Sequence, residues 1–116
     1  MALITIIIND APYGSERSYN GLRTAIALLK KENVSVNVFL MADATFCAIS
    51  TQVTPDGYYN IERMIKRLAK GGKVGACGTC MDARGLKDLT LIEGVHRSSM
   101  DELSDWILAS DKIITY

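Results

Sequence analysis

The chain opens on Leu3-Ile4-Thr5-Ile6-Ile7-Ile8, a run of large aliphatic and β-branched residues without a break in polarity. A strand with one wet face alternates apolar and polar residues, whereas an unbroken run is satisfied only when both faces are covered. That requirement points to the interior of a parallel sheet sandwiched between helices.

The remaining segments fit such a sheet. Ala11-Pro12-Tyr13-Gly14-Ser15 reads as a loop, with Ser15 able to cap a helix carrying Tyr19, Leu22, Ile26 and Leu29 at spacings of three and four. Asn33 is a stop signal, and Val34 to Met41 is a second strand, alternating in its first half. Asp43 can cap a short helix over Ala42 to Ile49, and Thr54-Pro55-Asp56-Gly57 is a turn. Ile61, Met64, Ile65, Leu68 and Ala69 then follow i, i+3, i+4, i+7, i+8, predicting a helix from about Tyr59 to Lys70. Gly71 and Gly72 end it, and Lys73 to Ala76 has the size of a short buried strand.

After the cysteines, one helical turn is expected over Met81 to Arg84, a fourth strand over Leu89 to Val95, and a helix with Leu103, Trp106 and Ile107 inside, capped by Ser99 with Glu102. Lys112 to Tyr116 closes as a fifth strand. The order βαβαβ(α)βαβ predicts a three-layer α/β/α sandwich on a mainly parallel five-stranded sheet, flavodoxin-like in broad terms.

With 116 residues, 48% of them hydrophobic, the chain fills one core, and a single domain over 1–116 is expected. Thirteen basic and thirteen acidic side chains cancel, and no basic cluster exceeds the Lys30-Lys31 doublet, so charge gives no case for nucleic acid. The apolar N-terminus lacks a basic start and a small-residue cleavage site, and Asn9-Asp10 interrupts it far short of a membrane span. Three cysteines are an odd number for a disulfide scaffold. Together these features predict a cytoplasmic protein with reduced thiols.

The chemistry concentrates in Lys73-Val74-Gly75-Ala76-Cys77-Gly78-Thr79-Cys80-Met81-Asp82-Ala83-Arg84-Gly85. In an open α/β sheet, ligands meet the carboxyl ends of strands, where this segment places two cysteines among glycines. Cys80 would begin a helical turn with Arg84 one turn on, and both features lower a thiol's pKa from about 8.5 toward the reactive range. Asp82 acts in the opposite direction unless its side chain faces away. Cys77-Gly78-Thr79-Cys80 is a C-x-x-C, able to close a disulfide, divide roles between nucleophile and resolving thiol, or contribute to a metal site. Zinc would need two further ligands, and only Cys47 and His96 remain, in no paired spacing, so no metal is expected. Asn9 and Asp10 after the first strand, Asp43 and Cys47 after the second, and Thr79 between the cysteines are candidate pocket residues at the same sheet edge. With neither G-x-G-x-x-G nor a Walker sequence, a nucleotide or flavin cofactor has no direct support.

These residues resemble the DsrE/DsrF-like family of sulfur-relay proteins. The likeness spans nearly the whole chain, through the first strand, Met41-Ala42-Asp43-Ala44, Gly57-Tyr58-Tyr59-Asn60-Ile61-Glu62-Arg63-Met64 and, most specifically, Cys77 to Gly85. It implies that a loop cysteine accepts sulfane sulfur as a persulfide and hands it to a partner, and Cys80 matches that position. It also implies sulfur-donor and sulfur-acceptor proteins or small persulfides as partners, no organic cofactor, and a homo-oligomer, trimeric or hexameric. Several relay members carry one cysteine here, and the additional Cys77 leaves open a dithiol oxidoreductase. A non-catalytic oligomeric module binding a small ligand is the other alternative.

Overall fold

A computed structural model describes residues 1–116. The elements run β1 (Ala2–Ile8), α1 (Arg17–Leu29), β2 (Val34–Leu40), a 3-10 segment (Ala42–Ala48), α2 (Ile61–Gly71), β3 (Lys73–Cys77), α3 (Gly78–Ala83), β4 (Val95–Ser98), α4 (Met100–Ala109) and β5 (Lys112–Thr115). All strand pairs are parallel, in the order β4-β3-β2-β1-β5. The sheet steps from β1 to β4 in one direction, then returns past β1 to seat β5. Right-handed crossovers therefore put α1 and α2 on one face and α4 on the other, giving the expected sandwich.

The two faces are unequal. Ile4, Ile6, Ile8, Val36, Val38, Leu40, Val74 and Ala76 point toward α1 and α2, where Leu22, Ile61, Ile65 and Leu68 complete the main core. Full burial of each such side chain contributes about 1.5–3 kcal/mol. On the opposite face, Phe39 and Cys77 meet Leu103 and Trp106, with Ile7, Met41 and Cys80 packed around them and the Phe39 and Trp106 rings edge to face at 6.2 Å. Because one helix covers that side, Ile113 of β5 remains 44% exposed.

Local signals placed most boundaries. Asn60 Oδ1 accepts from the Arg63 N–H at 3.0 Å to start α2, and Ser99 Oγ accepts from the Glu102 N–H at 3.2 Å to start α4. Asn33 takes φ +59°, the left-handed geometry its stop role requires. At Gly72 a Cβ would stand 2.6 Å from the Val36 carbonyl oxygen, so only glycine lets α2 turn closely into β3.

Three expectations are corrected. Ser15 is not the N-cap of α1, which starts after Glu16; its hydroxyl donates to Asp10 Oδ2 at 2.8 Å and accepts the Arg17 N–H only at a long 3.4 Å. Asp43 does not cap the 3-10 segment, whose flanking residue is Met41; its carboxylate is taken by Arg84. The fourth strand is Val95–Ser98, not Leu89 to Val95. Leu91 makes a single antiparallel bridge to Ile49, and Ile92 buries itself and donates to the Ala48 carbonyl at 2.8 Å, so those apolar residues plug the core as a loop. Gly94, at φ +90°, turns the chain into the actual strand.

Candidate functional site

β3 ends on Cys77, which pairs with Ser98 of β4, and the chain enters α3 immediately at Gly78. Strand alternation turns Cys77 onto the α4 side, where it is only 2% exposed. Cys80, one turn later, is partly exposed at the carboxyl edge of the sheet. All three cysteines are free thiols, and Cys80 is the accessible one.

Arg84 anchors the turn below Cys80. Its Nη1 donates to the Cys80 carbonyl at 3.1 Å and its Nε to Asp43 Oδ1 at 2.9 Å, tying α3 to the 3-10 segment after β2. Ala42, at the head of that segment, has φ +53°, a left-handed conformation costly for a residue with a Cβ. Its backbone N–H lowers the Cys80 thiol, against the net upward shift. A left-handed non-glycine residue at the sheet's ligand edge is the kind of strained position that clusters at functional sites.

On the other flank lies Arg97, which the sequence reading passed over. Its guanidinium rests against Gly78, where a Cβ would come within 2.7 Å of Cζ. It donates Nη1 and Nη2 to Asp82 Oδ1 and Oδ2 at 2.9 and 2.8 Å. The misplaced fourth strand hid this residue, because only the true register sets Arg97 opposite Ala76.

The two thiols are polarised against the sequence expectation. Burial pushes Cys77 up, but donation from the Cys80 thiol, the Thr79 hydroxyl and the backbone N–H groups of Cys80 and Thr79 outweighs it, leaving Cys77 below its ordinary value. The Thr79 Oγ1 lies 3.4 Å from Cys77 Sγ. Cys80 moves upward through burial and through serving as that donor; the Ala42 N–H and the Arg84 cation lower it without compensating. Arg84 therefore acts in the expected direction, yet Cys77 is held below and Cys80 above an ordinary thiol.

The other candidates serve the scaffold. Cys47 is fully buried on the α1 side and burial pushes its thiol up to about 12, so it lines no pocket with Cys80. Asn9 ties β1 to the chain end through Nδ2 to the Tyr116 carbonyl at 3.0 Å, and the Asp10 carbonyl accepts the Ser18 hydroxyl at 2.6 Å. His96 pairs with Glu102 beside Trp106. Of the candidate pocket residues, only Asp43 and Thr79 join Cys77, Cys80 and Arg84. The largest cavity, about 840 Å³, is a groove between α1 and α2 lined by Arg23, Lys30, Tyr59 and Arg63, and no cavity is lined by a cysteine. Cys80 is thus a partly exposed thiol outside these cavities.

A parallel five-stranded α/β sandwich with cysteines at the end of β3 defines a class, and the family comparison agrees. The DsrE/DsrF-like family model matches residues 2–116, and the chain belongs to that family. Among curated relatives, Protein YchN of Escherichia coli is 43% identical over 118 residues, with all of both chains covered. The crystal structure of the E. coli ychN protein superposes with a TM-score of 0.94, again covering both chains fully. The sulfurtransferase TusD homolog of Vibrio vulnificus is 23% identical over 126 residues, covering 97% of this chain and 95% of its own length. MTH1491 from Methanobacterium thermoautotrophicum shares the fold at 17% identity, with a TM-score of 0.74 and full coverage of both chains. No helix is long and apolar enough to cross a membrane.

Proposed function

We propose that the protein is a cytoplasmic sulfur carrier that takes sulfane sulfur onto Cys80 as a persulfide and passes it to a cysteine of a partner protein. One observation carries the reading: Cys80 is the accessible thiol of the three, in a turn that Arg84 ties down through the Cys80 carbonyl. Family membership and the TusD homolog's sulfurtransferase name support the same chemistry.

Loading balances without a cofactor. Cys80 gives its proton to solvent as its sulfur attacks the outer sulfur of a donor persulfide; the Cys80 S–S bond forms, the donor S–S bond breaks, and the donor leaves as thiolate. Transfer repeats this displacement with an acceptor cysteine attacking the outer sulfur. A homo-oligomer is part of the same proposal, supported by the exposed Ile113, Leu108 and Met100 around the single helix that covers the α4 face. Trimers and hexamers are the assemblies the family resemblance implies.

Intact mass after treatment with glutathione persulfide tests the carrier role. A reductant-labile gain of one sulfur atom is expected. Absence of any gain, from that donor or from a cysteine-based persulfide, would contradict it.

A further inference from the structure

We propose that Cys77 is an internal resolving thiol that discharges an unclaimed Cys80 persulfide as hydrosulfide, leaving a Cys77–Cys80 disulfide. The inference rests on the carrier reading above and adds a second activity, reductive sulfur release, to the same site. Its basis is the inequality of two thiols one helical turn apart. Cys77 is shut behind Trp106 and Leu103 at 2% exposure, out of reach of a bulky sulfur donor, while Cys80 faces solvent. The residues occupy the end of β3 and the first turn of α3, a separation of about 5–6 Å between Cα atoms, within the span a disulfide bridges.

The geometry selects which sulfur Cys77 can attack. Cys80 packs against the buried cluster that holds Cys77, so its Sγ is the sulfur nearer to Cys77 and the added sulfur extends beyond it. Attack on Sγ forms the Cys77–Cys80 bond, breaks the persulfide bond and expels HS⁻. In full, Cys80–S–SH and Cys77–S⁻ give the intramolecular disulfide and HS⁻. Both cysteine sulfurs are oxidised to the disulfide level and the sulfane sulfur is reduced to sulfide. An external dithiol then restores both cysteines by exchange and leaves as its own cyclic disulfide. Leaving-group chemistry favours this direction, since hydrosulfide is a weaker base than an alkylthiolate and the Cys80 thiol is raised.

The consequence is a timed carrier. An acceptor thiol that reaches the outer sulfur first receives it; otherwise Cys77 clears it. A lone relay cysteine has no such exit, and Cys47, on the opposite face of the sheet, offers none.

The test loads wild type with one equivalent of glutathione persulfide, removes the donor, and follows intact mass and trapped sulfide without reductant. The expected course is loss of the added sulfur, conversion to a species two hydrogens lighter than the reduced monomer, and release of one sulfide per disulfide. Cys77→Ser and Cys77→Ala should hold their persulfide at least tenfold longer and release little sulfide. Two variants are used because a serine hydroxyl at a buried site can perturb the fold. A wild-type persulfide that lasts as long as that of the variants, or decays to an intermolecular disulfide, would overturn the discharge proposal and leave the carrier reading standing. Failure of wild type and both variants to load would instead overturn the carrier reading itself.

Discussion

Arg97 grips both carboxylate oxygens of Asp82 while its guanidinium rests on the backbone of Gly78, one residue from Cys77. The carboxylate next in sequence to the cysteine turn is thereby held in an ion pair, and a cation faces Cys77. Arg97→Ala should raise the pH at which the pair's first thiolate appears, read by thiolate absorbance. Gly78→Ala should do the same by pushing the guanidinium aside, since its Cβ meets a mobile side-chain end. Thermal stability should change little in Arg97→Ala because the ion pair is exposed. An unchanged titration in both variants would remove Arg97 from the site.

Arg84 acts on the other thiol. Its cation favours the Cys80 thiolate, so Arg84→Ala should slow Cys80 alkylation several-fold near neutral pH. The difference should vanish once the pH exceeds the thiol's pKa, where both proteins are fully ionised. A rate deficit that persists at high pH would indicate altered access.

Acid stability should depend on Glu62. Its Oε1 accepts the Gln52 N–H at 2.8 Å, and Lys66 lies 3.4 Å away. Burial raises its pKa, but the N–H groups of Gln52 and Thr51, together with Lys66, bring it below the ordinary value. A depressed carboxylate contributes stability above its unfolded pKa, about 4.3, and loses it as pH falls through the lower folded value. Glu62→Gln should cost about 1–2 kcal/mol at pH 7 and flatten the acid limb of the denaturation curve. Equal stabilities at neutral pH would contradict this role.

Much of this was legible from local patterns. The aliphatic run of β1, the i, i+3, i+4 series of α2 and the Ser99 cap each state their geometry within a few residues. The α3 turn and the Cys77–Cys80 spacing were equally plain. β4 was not, because its exposed His96 and Arg97 have no strand-like alternation, whereas the preceding Leu89 to Ile92 are more apolar and enter the core as a loop. The thiol polarity was hidden for a related reason. It depends on which thiol donates to which and on the Ala42 N–H, relationships made by strand order and backbone twist that residue spacing does not carry.

Self-association should bury the half-covered α4 face. Light scattering at micromolar concentration should give a mass well above 12.7 kDa, and Ile113→Asp with Leu108→Asp should lower it while leaving the main core intact. A monomeric wild type would contradict the oligomer.

The most direct test of sulfur carriage is intact mass of wild type, Cys80→Ser, Cys77→Ser and Cys47→Ser after brief exposure to a persulfide donor, with and without reductant. The account predicts a reductant-labile gain of one sulfur atom in wild type, Cys77→Ser and Cys47→Ser, and none in Cys80→Ser. A Cys80→Ser protein that still gains that sulfur on another residue would contradict the assignment of Cys80 as the carrier.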